Sequence, residues 1–132
     1  MKNITILGST GSIGVSTLDV CSRHPEKFNV VALTANRDVE RLFQQCQQFR
    51  PEYVVMADAQ SAGLLEKCLV ELGEDSPQVL TGSEGLNFVA GLEKADMVMA
   101  AIVGAAGLLP ALSAVRAGKK LLLANKEALV LS

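Results

Sequence analysis

No tryptophan occurs in these 132 residues, and tyrosine and histidine occur once each, as Tyr53 and His24. One histidine leaves no Ser-His-Asp set, and with no acidic cluster at the strand ends there is no ligand set for a metal either. Tyr53 has Ala57 four residues on, which excludes the Tyr-x-x-x-Lys pair of a short-chain dehydrogenase. His24 stands beside Pro25 near a helix end, where a favourable interaction with the helix dipole accounts for it. Cysteine is scarce as well: Cys21, Cys46 and Cys68 are odd in number, far apart and form no C-x-x-C. They read as buried free thiols in a reducing cytosol, which makes the expected location cytoplasmic.

Long apolar runs are missing too. The stretch from Met97 to Leu112 is interrupted by Gly104, Gly107 and Pro110, and it falls short of the roughly 20 residues a membrane helix needs. Ile4 to Leu7 is too short for the apolar region of a signal peptide and ends in glycines, not at a small-residue cleavage site. Neither sign of charge dominates: 12 basic and 14 acidic residues give a formal net charge of -2. Nothing in that balance attracts nucleic acid or an anionic membrane, so neither is an expected partner.

Apolar residues, by contrast, make up 49% of the chain, as befits a parallel sheet covered on both faces. The length suits one domain, able to bury roughly two-thirds of its extended-chain surface. The opening is the most informative segment. Lys2-Asn3-Ile4-Thr5-Ile6-Leu7 reads as a strand and runs straight into Gly8-Ser9-Thr10-Gly11-Ser12-Ile13-Gly14. Glycines let a backbone turn sharply and approach a pyrophosphate, and the following segment from Ile13 to Val20 can begin a helix whose free N–H groups face the anion. The spacing is G-x-x-G-x-x-G, not G-x-G-x-x-G, so context carries the reading: a strand before, a helix after, and a second strand, Phe28 to Thr34, beyond. A P-loop is excluded, because Ile13 and Gly14 occupy the places of its second glycine and lysine.

Strand-like and helix-like segments then alternate, as in βαβ units. Val39, Leu42, Phe43 and Cys46 recur at helical spacing up to Arg50-Pro51; Tyr53 to Ala57 reads as a third strand; Ala62 to Leu72 reads as a helix stopped by Gly73. Gln78 to Thr81 is a short fourth strand, Ser83 a candidate cap for a helix through Leu92, and Asp96 to Ile102 a fifth strand. A helix ending near Gly118 and a sixth strand, Lys120 to Ala124, complete an α/β doubly wound, mostly parallel Rossmann-like sheet. Ala128 to Ser132 begins a new apolar element with nowhere to be buried. The expectation is therefore a single domain, residues 1–132, of a longer multidomain chain.

The tip of the second strand should meet the adenosine ribose, where a basic residue accommodates the extra phosphate of NADP. It reads Asn36-Arg37-Asp38. Arg37 offers fork geometry for phosphate, with a surface salt bridge as its alternative role; Asp38 runs against phosphate binding unless it caps the next helix. At the ends of the fifth and sixth strands, Gly104-Ala105-Ala106-Gly107 and Asn125-Lys126-Glu127 stand where ligands of open α/β sheets bind.

The glycine segment with Ser16-Thr17-Leu18-Asp19, the run from Met97 to Pro110, and Leu122-Leu123-Ala124-Asn125-Lys126-Glu127 closely resemble the N-terminal domain of the 1-deoxy-D-xylulose 5-phosphate reductoisomerase family. The resemblance implies an enzyme of non-mevalonate isoprenoid synthesis that isomerises 1-deoxy-D-xylulose 5-phosphate and reduces the product with NADPH to 2-C-methyl-D-erythritol 4-phosphate. It further implies a divalent metal, Mg2+ or Mn2+, and a homodimer. By matching positions, Thr10, Gly11, Ser12 and Ile13 hold the pyrophosphate; Asn36, Arg37 and Asp38 the 2′-phosphate and adenosine end; Asn125 and Glu127 complete the cofactor site; Lys126 reaches the phosphosugar. Where the family often has Gly-Lys-Asn this chain has Asn36-Arg37-Asp38. No catalytic or metal-ligating residue is expected within these residues. Two other readings stay open: a stand-alone nucleotide-binding regulatory module, and a semialdehyde dehydrogenase, against which stands the lack of a cysteine at the sheet's carboxyl edge.

Overall fold

The computed structural model describes residues 2–101 and 120–123. The chain runs β1 (Lys2–Leu7), α1 (Ser12–Arg23), β2 (Phe28–Thr34), α2 (Val39–Phe49), β3 (Tyr53–Met56), α3 (Ala59–Leu69), β4 (Gln78–Thr81), α4 (Gly82–Ala90), β5 (Met97–Ala100) and β6 (Lys120–Leu123). The helix expected between Gly104 and Gly118, and Asn125, Lys126 and Glu127, lie outside the described residues.

All six strands pair in parallel, in the order β4-β3-β2-β1-β5-β6. Strands β1 to β4 add in one direction and β5 and β6 in the other. Because parallel crossovers keep one hand, the reversal puts helices on both faces. On one face α1, α2 and α3 press Leu18, Leu42, Leu65 and Leu69 onto Ile4, Ile6, Val54 and Met56. On the other, Val89 and Ala90 of α4 cover Leu7, Val55, Val98 and Ala100. Leu42 and Leu65 have no exposed surface, and burying such a side chain contributes about 1.5–3 kcal/mol.

A bulge between β1 and β2 sets the direction in which Thr34 points. Ile4 pairs with Val30 but Thr5 pairs with Ala32, so Val31 and Ala32 both face the α4 side. The extra residue resets the alternation for the last turn of pleat, leaving Leu33 and Ala35 in the opposite layer. Thr34 is thereby free to face the segment that leaves β1.

Several boundaries differ from the pattern expected of the sequence: β3 ends at Met56, not Ala57, α4 ends at Ala90, not Leu92, and β5 spans Met97–Ala100, not Asp96 to Ile102. The α3 helix ends at Leu69, not Leu72, and continues as a 3-10 segment, Val70–Asp75, that Gly73 interrupts with φ 59 and ψ -126. Ser83 does not cap α4. Gly82, at φ 66, turns the chain early, so Thr81 is the N-cap and Ser83 falls inside the first turn without a capping hydrogen bond. Elsewhere the breakers act as read: Arg50 before Pro51 leaves α2 in the left-handed region at φ 50, ψ 55.

Within α3, Gly63 has an ordinary helical backbone and a Cβ there would meet nothing within 4 Å. Gly63→Ala should therefore stabilise the fold by about 0.5–1 kcal/mol through helix propensity. Urea unfolding checks this; a lowered midpoint would contradict the helix assignment.

Candidate functional site

The loop after β1 is shaped by two glycines with different duties. Gly8 turns the chain at φ 81, a conformation a side chain would resist. Gly14 sits where a Cβ would lie 2.2 Å from the Gly8 carbonyl oxygen and 2.6 Å from Ser9 Cα. Both obstacles are backbone, so only glycine lets α1 begin this close to the loop. Gly11 is unlike either: its φ is -77, and a Cβ there would meet nothing nearer than Gly8 O at 3.8 Å. The protein itself has no need of a glycine at that position.

The second strand and second helix hold this loop. Gly8 N–H donates to Thr34 Oγ1 and Ser9 N–H to Thr34 O, both at 2.8 Å. Gln45 of α2 donates through Nε2 to Ser9 O at 2.8 Å. Ser9 Oγ lies 2.7 Å from Gln45 Oε1 and 3.2 Å from Thr34 O; its single proton belongs to the shorter contact. Four residues earlier on α2, Arg41 Nη1 donates to Thr10 O at 3.2 Å. Neither Gln45 nor Arg41 stood out in the sequence. Gln45 had a faint signal, since it adjoins the apolar stripe of Leu42 and Cys46, but nothing in the pattern marked Arg41.

The N-terminus of α1 is left open. Its N-cap, Gly11, makes no side-chain hydrogen bond, and no acidic residue stands in its first turn. By contrast α2 is capped by Asp38 and α3 by Asp58. The first N–H groups of a helix lack intrahelical partners, and with the helix dipole they favour an anion. Thr10 is half-buried, and Gly11, Ser12 and Ile13 are exposed around this end. A cleft of about 470 Å³ starts at Gly8, Thr10 and Gly11, passes Thr34, Ala35 and Asn36, and is floored by Val55, Met56 and Leu86, with Ala101 at its far side. It opens at the carboxyl ends of β1, β2, β3 and β5, where the strand order reverses. A separate hollow of about 360 Å³ between α1 and α2 is walled by side chains such as Val15, Gln48 and Phe49 and has no glycine backbone in its lining.

Asn36, Arg37 and Asp38 are exposed at the rim beyond β2. The Asn36 carbonyl accepts from Ala57 N–H at 3.0 Å, tying the tip to β3. Arg37 Nε lies 3.2 Å from Asp58 Oδ2, so the surface pair considered for it is real. It uses the guanidinium edge at Nε. Asp58 accepts from the backbone N–H of Ser61 at 2.7 Å. That bond first, then the Ser61 hydroxyl and the Arg37 guanidinium, hold its carboxyl below the usual range. Asp38 caps α2, its Oδ1 accepting from Arg41 N–H at 3.1 Å.

Of the thiols, Cys21 and Cys46 are buried and Cys68 is half-buried on α3. Burial pushes the Cys46 thiol up to about 12 and raises that of Cys21, so both stay protonated and inert. Among the described residues no group of three or more His, Cys, Asp and Glu could hold a metal ion, and no helix is long and apolar enough to cross a membrane.

A six-stranded parallel sheet that reverses at β1, with a glycine turn and an open helix end at the reversal, defines the Rossmann-like class of nucleotide-binding α/β domains. The particular family follows from comparison with known proteins. The family model for 1-deoxy-D-xylulose 5-phosphate reductoisomerase matches residues 4–132, and the chain belongs to that family. It is 59% identical over 132 residues to the 1-deoxy-D-xylulose 5-phosphate reductoisomerase of Methylococcus capsulatus, covering 100% of this chain and 34% of that protein. The Nitrosomonas europaea enzyme of the same name is 60% identical over 131 residues, covering 99% of this chain and 32% of that protein. This chain thus spans about a third of the length of those relatives. Among solved structures, a DOX-P reductoisomerase in complex with NADPH, fosmidomycin and magnesium superposes with a TM-score of 0.92 at 42% identity, over 98% of this chain and 31% of that one. The Zymomonas mobilis enzyme in complex with NADPH superposes with a TM-score of 0.88 at 41% identity, over 98% of this chain and 33% of that one.

The loop geometry separates two neighbouring substitutions. Gly14→Ala drives a methyl into backbone and should cost about 2–3 kcal/mol, whereas Gly11→Ala should leave stability within about 0.5 kcal/mol of the parent. Chemical denaturation of both variants decides; equal losses would refute the division of roles. Asp58 gives a pH signature. Because its folded carboxyl titrates below the unfolded one, its contribution is complete above the unfolded value of about 4 and disappears as pH falls through the folded value. Asp58→Ala should lower the melting temperature at neutral pH, and the difference should shrink at about pH 3; an undiminished difference there would show that the cap does not depend on ionisation.

Proposed function

We propose that residues 1–132 form the NADPH-binding domain of a 1-deoxy-D-xylulose 5-phosphate reductoisomerase. The observation that carries the reading is the open N-terminus of α1, held over the switch-point cleft by the close approach at Gly14. Family membership, with its NADPH-bound structural neighbours, supports it.

In this reading the pyrophosphate lies against Thr10, Gly11, Ser12 and Ile13. Gly11, which the fold leaves free to be larger, is glycine because the coenzyme backbone passes there. Adenosine enters the cleft over Val55, Met56 and Leu86, and Asn36, Arg37 and Asp38 surround the 2′-phosphate. NADPH, when bound, supplies the hydride. The domain fixes its orientation: Thr34 and Gln45 keep the loop rigid, and the buried strand ends exclude water from one wall of the cleft. Asn125 and Glu127 complete the cofactor site and Lys126 meets the substrate phosphosugar; all three lie outside the described residues.

The reaction is isomerisation of 1-deoxy-D-xylulose 5-phosphate followed by reduction to 2-C-methyl-D-erythritol 4-phosphate, in the cytoplasm, by a homodimer. Family chemistry calls for Mg2+ or Mn2+. Among the described residues no set fits such an ion, and in this reading its ligands and the catalytic groups lie outside them.

Titrating the chain with NADPH and NADH, followed by nicotinamide fluorescence, tests the reading. NADPH should bind in preference to NADH, and the 132 residues alone should consume none of it with 1-deoxy-D-xylulose 5-phosphate and Mn2+. Turnover by the chain alone would overturn the division of labour. Binding of adenine nucleotides irrespective of the nicotinamide or the 2′-phosphate would favour a regulatory nucleotide module.

A further inference from the structure

The second-strand tip carries a carboxylate beside the place proposed for a phosphate, and the structure shows where its charge goes. Both oxygens of Asp38 address one residue: Oδ1 accepts from Arg41 N–H at 3.1 Å, and Oδ2 lies 3.9 Å from Arg41 Nε. The same guanidinium reaches across to the glycine loop, where Nη1 donates to Thr10 O at 3.2 Å. Arg41 is thus the only described side chain that touches both coenzyme-facing segments, the loop at Thr10 and the tip at Asp38.

Its position is costly for the helix. Arg41 is the third residue of α2, and the positive end of a helix dipole disfavours a cation there. Half exposed, its pair with Asp38 adds little stability. The local charge balance gives it a purpose. Arg37 is offset by Asp58 at 3.2 Å, and Asp38 by Arg41; among the described residues these are the ion pairs the two arginines make. Without Arg41 the corner of Arg37, Asp38 and Asp58 carries a net negative charge, well within a Debye length of a phosphate. With it the corner is neutral, and Arg41 Nη2, with no partner among the described residues, remains to donate.

We propose that Arg41 is a coenzyme-specificity residue: it neutralises Asp38 and donates to the 2′-phosphate of NADPH between Thr10 and the Asn36-Arg37 tip. The proposal rests on the NADPH reading above. It explains how this chain keeps an aspartate where a phosphate must be accommodated.

The test is direct binding of NADPH and NADH to the chain and to Arg41→Gln, Arg41→Lys, Asp38→Asn and the double variant Asp38→Asn/Arg41→Gln. Asparagine retains the cap, so the Asp38 substitution removes charge and keeps α2. Arg41→Gln should raise the Kd for NADPH roughly tenfold or more, as for loss of a charge-assisted phosphate contact, and that for NADH less than about twofold. Arg41→Lys should keep part of the preference, Asp38→Asn should tighten NADPH binding by removing the opposing charge, and the double variant should recover only the part of the Arg41→Gln loss that comes from the uncompensated Asp38 carboxylate, the direct phosphate contact staying lost. Equal weakening of both coenzymes would reduce Arg41 to a brace for the loop and overturn the proposal, as would an unchanged NADPH preference in Arg41→Gln. Should Arg41→Gln not fold, a weaker NADPH affinity in Asp38→Asn would by itself overturn it. Failure of the parent chain to prefer NADPH over NADH would instead overturn the functional reading and this inference together.

Discussion

The approach of α1 to the Gly8–Ser9 backbone, possible only because Gly14 has no side chain, is the contact on which the rest of the site depends. It sets the helix end directly above the reversal of the sheet, so that unpaired N–H groups and the cleft meet at one place. Had the helix started a few ångströms further out, the same residues would have made a turn and nothing more. The constraint is one of volume, and it acts before any ligand is present.

Rigidity of the loop comes from elsewhere. Thr34 grips it from β2 and Gln45 from α2, with Ser9 fully buried between them. The grip depends on the bulge in the β1–β2 pairing, which brings Thr34 onto the loop side of its strand. The glycine loop is therefore fixed by two elements distant in sequence, β2 and α2. Preorganisation of this kind lowers the ordering cost of binding.

Charge is arranged just as deliberately at the other end of the cleft. Two arginines and two aspartates form separate pairs, each aspartate also capping a helix. Capping turns the carboxylates toward backbone N–H groups and leaves guanidinium edges outward. An acidic residue at a strand tip thus need not exclude a phosphate when its own helix absorbs it.

All six strands and the helices of the described chain were legible as alternating apolar runs, because burial on both faces of a parallel sheet imposes composition directly. The apolar runs Phe28–Thr34 and Gln78–Thr81 coincide with β2 and β4. The end of α3 and the start of α4 depart from the pattern because a glycine's backbone angle, not its neighbours' hydrophobicity, decides them: Gly73 and Gly82 set these two ends. The glycine turn, too, was visible in sequence, but its three glycines were equivalent there. Only the packed structure assigned one to a turn, one to helix contact and one to free space, because that distinction lies in distances to atoms brought near by folding. For the same reason the sequence determined the class of sheet and the segments that meet at its switch point, while the tertiary structure alone decided that Gln45 and Arg41, more than 30 residues away along the chain, hold the loop in place.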